Sequence, residues 1–193
     1  MPRRYTLGKR SDAKAETRER IVAATLRLYR EGGFGGASVA AVARAADVAP
    51  ATVRNHFPGP NDLAEAAADG VLTALAMPEV SIFDGASGPT ERVRRLVTEL
   101  AAFYERGTEW WEIRQRDRDL TQAWAGAEAR YEQRLADLVR AAVAPLDDPV
   151  VVAVTGTAVG STYFALRAAG QTPGDAVETV LDVLLPWLER RGP

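Results

Sequence analysis

The 193-residue chain contains no cysteine, one histidine and two methionines. Lack of cysteine excludes disulfides, thiolate catalysis and cysteine-ligated metal, and it fits a reducing compartment. The single histidine, His56, leaves Ser11, Ser38, Ser81, Ser87 and Ser161 without a nearby base in sequence, and none of these serines sits in a nucleophile-elbow context. No glycine-rich phosphate loop follows a strand pattern, and solvation or helix capping accounts for the acidic pairs Asp117/Asp119 and Asp147/Asp148. The chain is therefore expected not to be an enzyme and to need neither metal nor cofactor. No uninterrupted apolar run reaches the ~20 residues that cross a bilayer. The nearest, Val150 to Leu166, is diluted by Thr155, Gly156, Thr157, Gly160, Ser161 and Thr162. The first residues are too polar for a signal peptide, so a cytoplasmic location without a membrane partner is expected. Alternation at a period of two is almost missing as well, which points to an all-α chain.

The charge that is present is unevenly placed. Net charge is −2, yet residues 1–60 hold 11 Lys/Arg against 5 Asp/Glu, a net of +6, while the remainder holds 13 against 21, a net of −8. A basic head on an acidic body steers the head toward phosphates and keeps the body away from them. Residues 1–14 carry Arg3, Arg4, Lys9, Arg10 and Lys14 without apolar periodicity and read as a flexible basic arm.

Within the head, residues 15–60 spell three short helices. Ile21, Ala24 or Thr25, and Leu28 give the first helix one apolar face, and Gly32-Gly33 stop it. Ser38 is placed to cap a second helix whose buried stripe is Val39, Val42, Ala43 and Ala46, with Arg44 pointing away. After the turn Ala46-Asp47-Val48-Ala49, Pro50 starts a third helix that runs to about Phe57. At about 100° per residue, Val53 and Phe57 share its inward face, Ala51 and Asn55 lie opposite, and Thr52, Arg54 and His56 lie on the flanks. Small or amide residues toward the bases and polar flanks toward the phosphate ridges suit a helix in the major groove. Ser38, Arg44, Ala51, Thr52, Arg54, Asn55 and His56 are the candidate DNA-binding residues.

The order Thr17-Arg18, Ile21, Leu28-Tyr29, Gly33-Phe34, Ser38-Val39, Val42-Ala43, Val48, Thr52-Val53, His56-Phe57 and Leu63 resembles the DNA-binding domain of TetR-type (tetracycline-repressor-like) bacterial regulators. Three positions depart from that family's usual pattern: Asp47 stands in place of a turn Gly, Arg54 in place of Tyr, and Pro60 in place of a phosphate-touching Lys. The resemblance implies a homodimeric, ligand-responsive transcriptional regulator, expected to be a repressor that binds a palindromic operator and is released by a small apolar or aromatic effector. The alternative is a helical small-molecule-binding or interaction protein without specific DNA binding, which the missing Lys at position 60 favours.

Residues 61–193 read as a helical body for ligand binding and dimerisation. Leu63, Ala67, Gly70 or Val71, and Leu75 mark a fourth helix, and Met77 to Pro89 a loop. Thr90 is placed to cap a fifth helix with Val93, Leu96, Val97, Leu100, Phe103 and Tyr104 inward. Glu109 to Asp119 gives a short helix, Thr121 to Ala144 a long one closed by Pro145, and Pro149 to Ala169 and Pro173 to Arg191 the last two. The run VVVAV at Val150 is read as helix because no partner strand is present. Phe103, Tyr104, Trp110, Trp111, Trp124 and Tyr163 are candidate ligand-binding residues, with Arg114, Thr121, Gln122 and Thr162 as polar contacts. Since Trp110 and Trp111 are neighbours about 100° apart, they face different surroundings. The last two helices are apolar over a wide arc and need neighbours on two sides. Gly156, Gly160, Val177, Leu181, Leu184 and Leu188 are the candidate dimer interface.

Overall fold

The computed structural model describes residues 4–59, 61–158 and 160–190, and among the described residues there is helix and no strand. The helices are α1 (Arg4–Gly32), α2 (Val39–Ala45), α3 (Pro50–His56), α4 (Asp62–Ala74), α5 (Pro89–Arg106), α6 (Thr108–Arg116), α7 (Ala125–Val143), α8 (Asp148–Ala158), α9 (Gly160–Ala168) and α10 (Pro173–Glu189), with shorter 3-10 turns between some of them. Two compact units divide the chain: Met1–Ala74 with Glu109–Glu128, and Leu75–Thr108 with Ala129–Pro193. Arg3, Pro60 and Arg191 lie outside the described residues, as do the side chains of Arg4, Lys9, Arg10 and Thr121.

In the first unit α1, α2 and α3 close on a core of Ile21, Ala24, Val42, Ala43, Ala46, Val53 and Phe57. Each of its larger side chains contributes about 1.5–3 kcal/mol by leaving water. Thr25, also fully buried, satisfies its hydroxyl by donating to the Ile21 carbonyl one turn back at 2.9 Å. The chain leaves α1 through Gly33, whose φ of +69° is a left-handed conformation natural to glycine. Ser38 caps α2 by accepting from the Ala41 N–H at 3.2 Å, and Pro50 occupies the first turn of α3. Asp47 adopts φ +54° and serves the turn that glycine usually makes.

Residues 1–14, read as a flexible arm, are helical from Arg4 onward, continuous with the rest of α1. The composition allows it without any apolar stripe. Ala13, Lys14, Ala15, Glu16, Arg18 and Arg20 are strong helix formers, and Glu16 precedes Arg20 by the favourable four residues.

The boundary read between residues 60 and 61 also moves. α4 packs on α1, and the 3-10 turn Arg118–Trp124 packs on α4, so both belong with the head. The helix expected to start at Thr121 starts instead at Ala125, because Arg118–Trp124 is wound more tightly ahead of it.

In the second unit α5 is the central helix. Val93, Leu96, Val97, Leu100, Phe103 and Tyr104 are all buried along it, as the spacing indicated. Its cap differs from the expectation. Gly88 precedes the helix, Pro89 fills the first turn, and Thr90 lies inside. Glu91 reaches back to accept from the Ser87 N–H and hydroxyl, both at 2.8 Å, and pairs with Arg95. Those three partners, the Ser87 backbone first, hold the Glu91 carboxyl down at about 2.

α10 packs against α5, α8 and α9. Thr172 caps it by accepting from the Asp175 N–H. The stretch read as one helix from Pro149 to Ala169 is described as α8 and α9 on either side of Val159, which is not among the described residues. Pro149–Ala168 is long and apolar enough by composition to cross a bilayer, at a mean hydropathy of 1.5. Within the unit it buries Val150, Val154, Gly160 and Tyr163.

Candidate nucleic-acid interface

α3 is held from behind and open in front. Val53, 1% exposed, and Phe57, 5% exposed, anchor it in the head core, while Ala51, Arg54 and Asn55 are exposed. Thr52 and His56 lie half-buried at the flanks, as the helical phase required. Arg44 on α2 is exposed on the approach to the turn. The Ser38 hydroxyl, a candidate contact, already serves the α2 cap and is also exposed, so it can accept from the backbone and donate outward together.

Two cations near this surface were not among the candidate DNA-binding residues. The Arg18 guanidinium stands 4.3 Å from the centre of the Phe57 ring, and Arg27 donates to the Ala45 carbonyl at 3.0 Å at the end of α2. The signal for Arg18 was available: it stands three residues before Ile21, on the same side of the helix.

The candidate ligand-binding residues are divided between the two units. Trp110, Trp111 and Trp124 belong to the head's unit. Trp124 packs with its ring centre 4.4 Å from Phe34 and 5.8 Å from Tyr29. Trp110 is buried with the Arg30 guanidinium 4.7 Å above it, and Arg30 also pairs with Glu109 at 3.0 Å. Trp111 is half-buried, so the two neighbours do face different surroundings. The same segment is tied down by Asp117, whose carboxylate accepts from the Phe34 N–H at 2.7 Å. The adjacent Arg116, and then that N–H, keep the Asp117 carboxyl below its ordinary value. These contacts make Trp110 and Trp124 fastenings of the head, a role that separations of 80 to 95 residues along the chain concealed. Among the polar candidates, Arg114 pairs with Glu128, Gln122 is exposed, and the Thr162 hydroxyl makes only a long 3.5 Å contact to the Gly156 carbonyl.

Phe103, Tyr104 and Tyr163 do assemble, in the second unit, together with Tyr131 and Phe164. The Tyr104 hydroxyl lies 3.2 Å from that of Tyr131 and accepts from the Gly160 N–H at 3.1 Å. Burial raises the Tyr104 hydroxyl's pKa. Tyr163 donates to Glu105 at 2.8 Å, and Arg167 donates to the same carboxylate at 2.9 Å. Burial, then the Glu105 anion, pushes Tyr163 up to about 12. For Glu105 itself burial is the largest influence and acts upward, but the hydrogen bonds from Arg167 and Tyr163 outweigh it and leave the carboxyl lowered.

Most of the candidate dimer residues face their own unit. Leu181, Leu184 and Leu188 are 2–3% exposed in a single copy and have nothing left to bury in a second. Gly160 is buried too, and a Cβ there would meet Phe164 at 3.2 Å and Tyr104 at 3.5 Å, so its smallness serves an internal contact. Gly156 opens to free space, Val177 is half-buried, and the open apolar side chains nearby are Val152 and Val183, at 71% and 61% exposure. A wide apolar arc marks two faces without saying which one looks inward.

Residues 21–67 match the family model described as bacterial regulatory proteins, tetR family. No curated protein sequence matches the chain. Among solved structures, a transcriptional regulator from Rhodococcus sp. Rha1 is similar with a TM-score of 0.62 at 18% identity, covering 90% of this chain and 96% of that one. The multidrug binding protein EbrR, solved with imidazole, gives 0.60 at 22% identity, covering 92% and 90%. The transcriptional regulator FadR from Bacillus subtilis, solved with stearoyl-CoA, gives 0.59 at 16% identity, covering 86% and 97%. At such identities the likeness beyond the head is one of fold. Residues 21–67 thus match the DNA-binding domain of the tetR family of bacterial regulatory proteins, in a chain that shares its fold over most of its length with these solved structures.

Proposed function

We propose that the protein is a ligand-responsive transcriptional repressor that binds a palindromic operator as a homodimer and leaves it when a small apolar or aromatic effector binds. The observation that carries this reading is α3: Val53 and Phe57 fix it in the head core, and Ala51, Arg54 and Asn55 stand free on its outer side. The basic charge of residues 1–60 supplies sequence-independent attraction to the same end of the molecule. An effector is supported by the aromatic cluster around Tyr104, which gathers apolar rings and a few fixed hydroxyls inside the second unit, and by the small molecules in the EbrR and FadR structures. Dimerisation is supported by Val152 and Val183, two large apolar side chains left open on helices that pack together. Release follows from linkage: an effector that prefers the unbound spacing of the two heads lowers operator affinity by its preference and no more.

A duplex selected from a random pool tests the reading. Asn55→Ala should relax base preference at one position per half-site, by about 1–3 kcal/mol. Arg54→Ala should weaken all duplexes alike and lower the salt slope by about one. A pool from which nothing is enriched overturns DNA reading and favours the helical ligand-binding alternative.

A further inference from the structure

α1 is much longer than the head needs. Its 29 residues span about 43 Å, yet the first side chain it contributes to the head core is Ile21, so about 25 Å of helix stands ahead of that core. Residues 11–16 of that extension are all exposed. A helix that buries nothing there is maintained by its own propensity, and its outer surface is available for another purpose.

The surface is sorted by charge. At 100° per residue, Lys14 and Arg18 continue the row formed further on by Ile21, Thr25 and Leu28, the row that packs toward α2 and α3. Asp12, Glu16 and Glu19 fall roughly 120–180° around the helix from that row. Arg18 gives an independent check on direction, since its guanidinium lies over Phe57 at the end of α3. The basic row therefore emerges on the side of the head that carries α3. A guanidinium over a ring face still has its in-plane N–H donors free at the edge. Two cations four residues apart repel one another on a bare helix, and a polyanion lying along the row removes that repulsion.

We infer that the N-terminal extension of α1 is a second DNA-contacting element, in which Lys14 and Arg18 grip backbone phosphates beside the base pairs that α3 reads. This rests on the DNA-binding reading and extends it beyond the helix-turn-helix. The ligand is the phosphodiester backbone, so the extension adds affinity and footprint without adding sequence preference.

The experiment uses the full chain and a duplex selected from a random pool, with affinity measured by fluorescence anisotropy across a salt series. In Lys14→Gln/Arg18→Gln the slope of log affinity against log salt should fall by about two per protomer, with affinity at low salt lowered about tenfold or more. Ratios among single-base operator variants should stay as in the wild type. Hydroxyl-radical protection just outside the bases read by α3 should be lost. Lys14→Gln alone, which touches no core residue, should give about half the change, and Arg18→Lys should restore most of it. Glu16→Lys, on the far side, should leave the slope near the wild-type value. An unchanged slope in the double variant overturns the inference, as does a Glu16→Lys effect opposite to that of Lys14→Gln and about twice as large, in proportion to the two charges gained against one lost, which would mean that only net charge matters. Failure of the DNA-binding reading looks different: the wild type then enriches no duplex at all.

Discussion

At the scale of single residues, the head depends on positions where backbone geometry and a neighbour leave no choice. Gly33 combines φ +69° with a site where an added Cβ would sit 2.2 Å from the Asp117 carboxylate. Gly33→Ala should therefore destabilise the protein by about 2 kcal/mol through strain and displacement of Asp117. Gly32→Ala, one residue earlier with open space around it, should be neutral or slightly stabilising. Paired melting curves check this, and equal Tm values for the two variants would refute it. Asp117 itself gives a pH signature. Its folded-state value is lowered, so the tie to the Phe34 N–H is fully present above 3.8 and is lost as pH falls through the lower folded value. An NMR titration of the Phe34 amide should show a midpoint below 3.8, absent in Asp117→Asn. Much at this scale was legible in the sequence. The Ser38 cap, the Pro50 start and the left-handed Asp47 all follow from residue type and position. Thr90 was misread because Pro89 and Glu91 together supply a start signal that a capping hydroxyl only resembles.

At the scale of elements, apolar spacing identified the buried face of α5 because that signal is local: each buried side chain lies three or four residues from the next. Which body an element joins is not local. The segment around Trp110 and Trp124 follows α5 in the chain but fastens to Tyr29, Arg30 and Phe34, and nothing in its own composition declares those partners. The same limit explains α10. Val180, Leu181, Leu184, Leu185 and Leu188 face the unit's own core, and Val183 looks out between them. Leu184→Glu should bury an unpaired carboxylate against α5 and cost roughly 3–5 kcal/mol, enough to unfold the second unit rather than to dissociate it. Circular dichroism and thermal melting at several protein concentrations check this. A folded Leu184→Glu monomer with wild-type helicity would show that the side chain belongs to an interface after all.

At the scale of the whole molecule, the proposed switch needs two heads held at a spacing that matches successive major grooves, roughly 34–36 Å apart. A single head offers one short recognition helix and its phosphate contacts, too little for tight operator binding, so affinity should track assembly. Val152 and Val183 locate the test. In a lone copy each is an exposed side chain, and replacing it with a carboxylate should change folding stability by no more than about 0.5 kcal/mol. In a dimer formed through the outer side of α8 and α10, the same change places a charge, and its symmetry mate, in a dry contact. Val183→Glu should accordingly keep wild-type helicity and Tm at low concentration, sediment as a monomer at micromolar concentration, and lose most of its affinity for a full palindrome. Its affinity for an isolated half-site should match that of the wild type, because α3 and the extension of α1 are untouched. A variant that stays dimeric moves the interface to another face, and a wild-type protein that sediments as a monomer while binding the palindrome tightly removes the need for a dimer altogether.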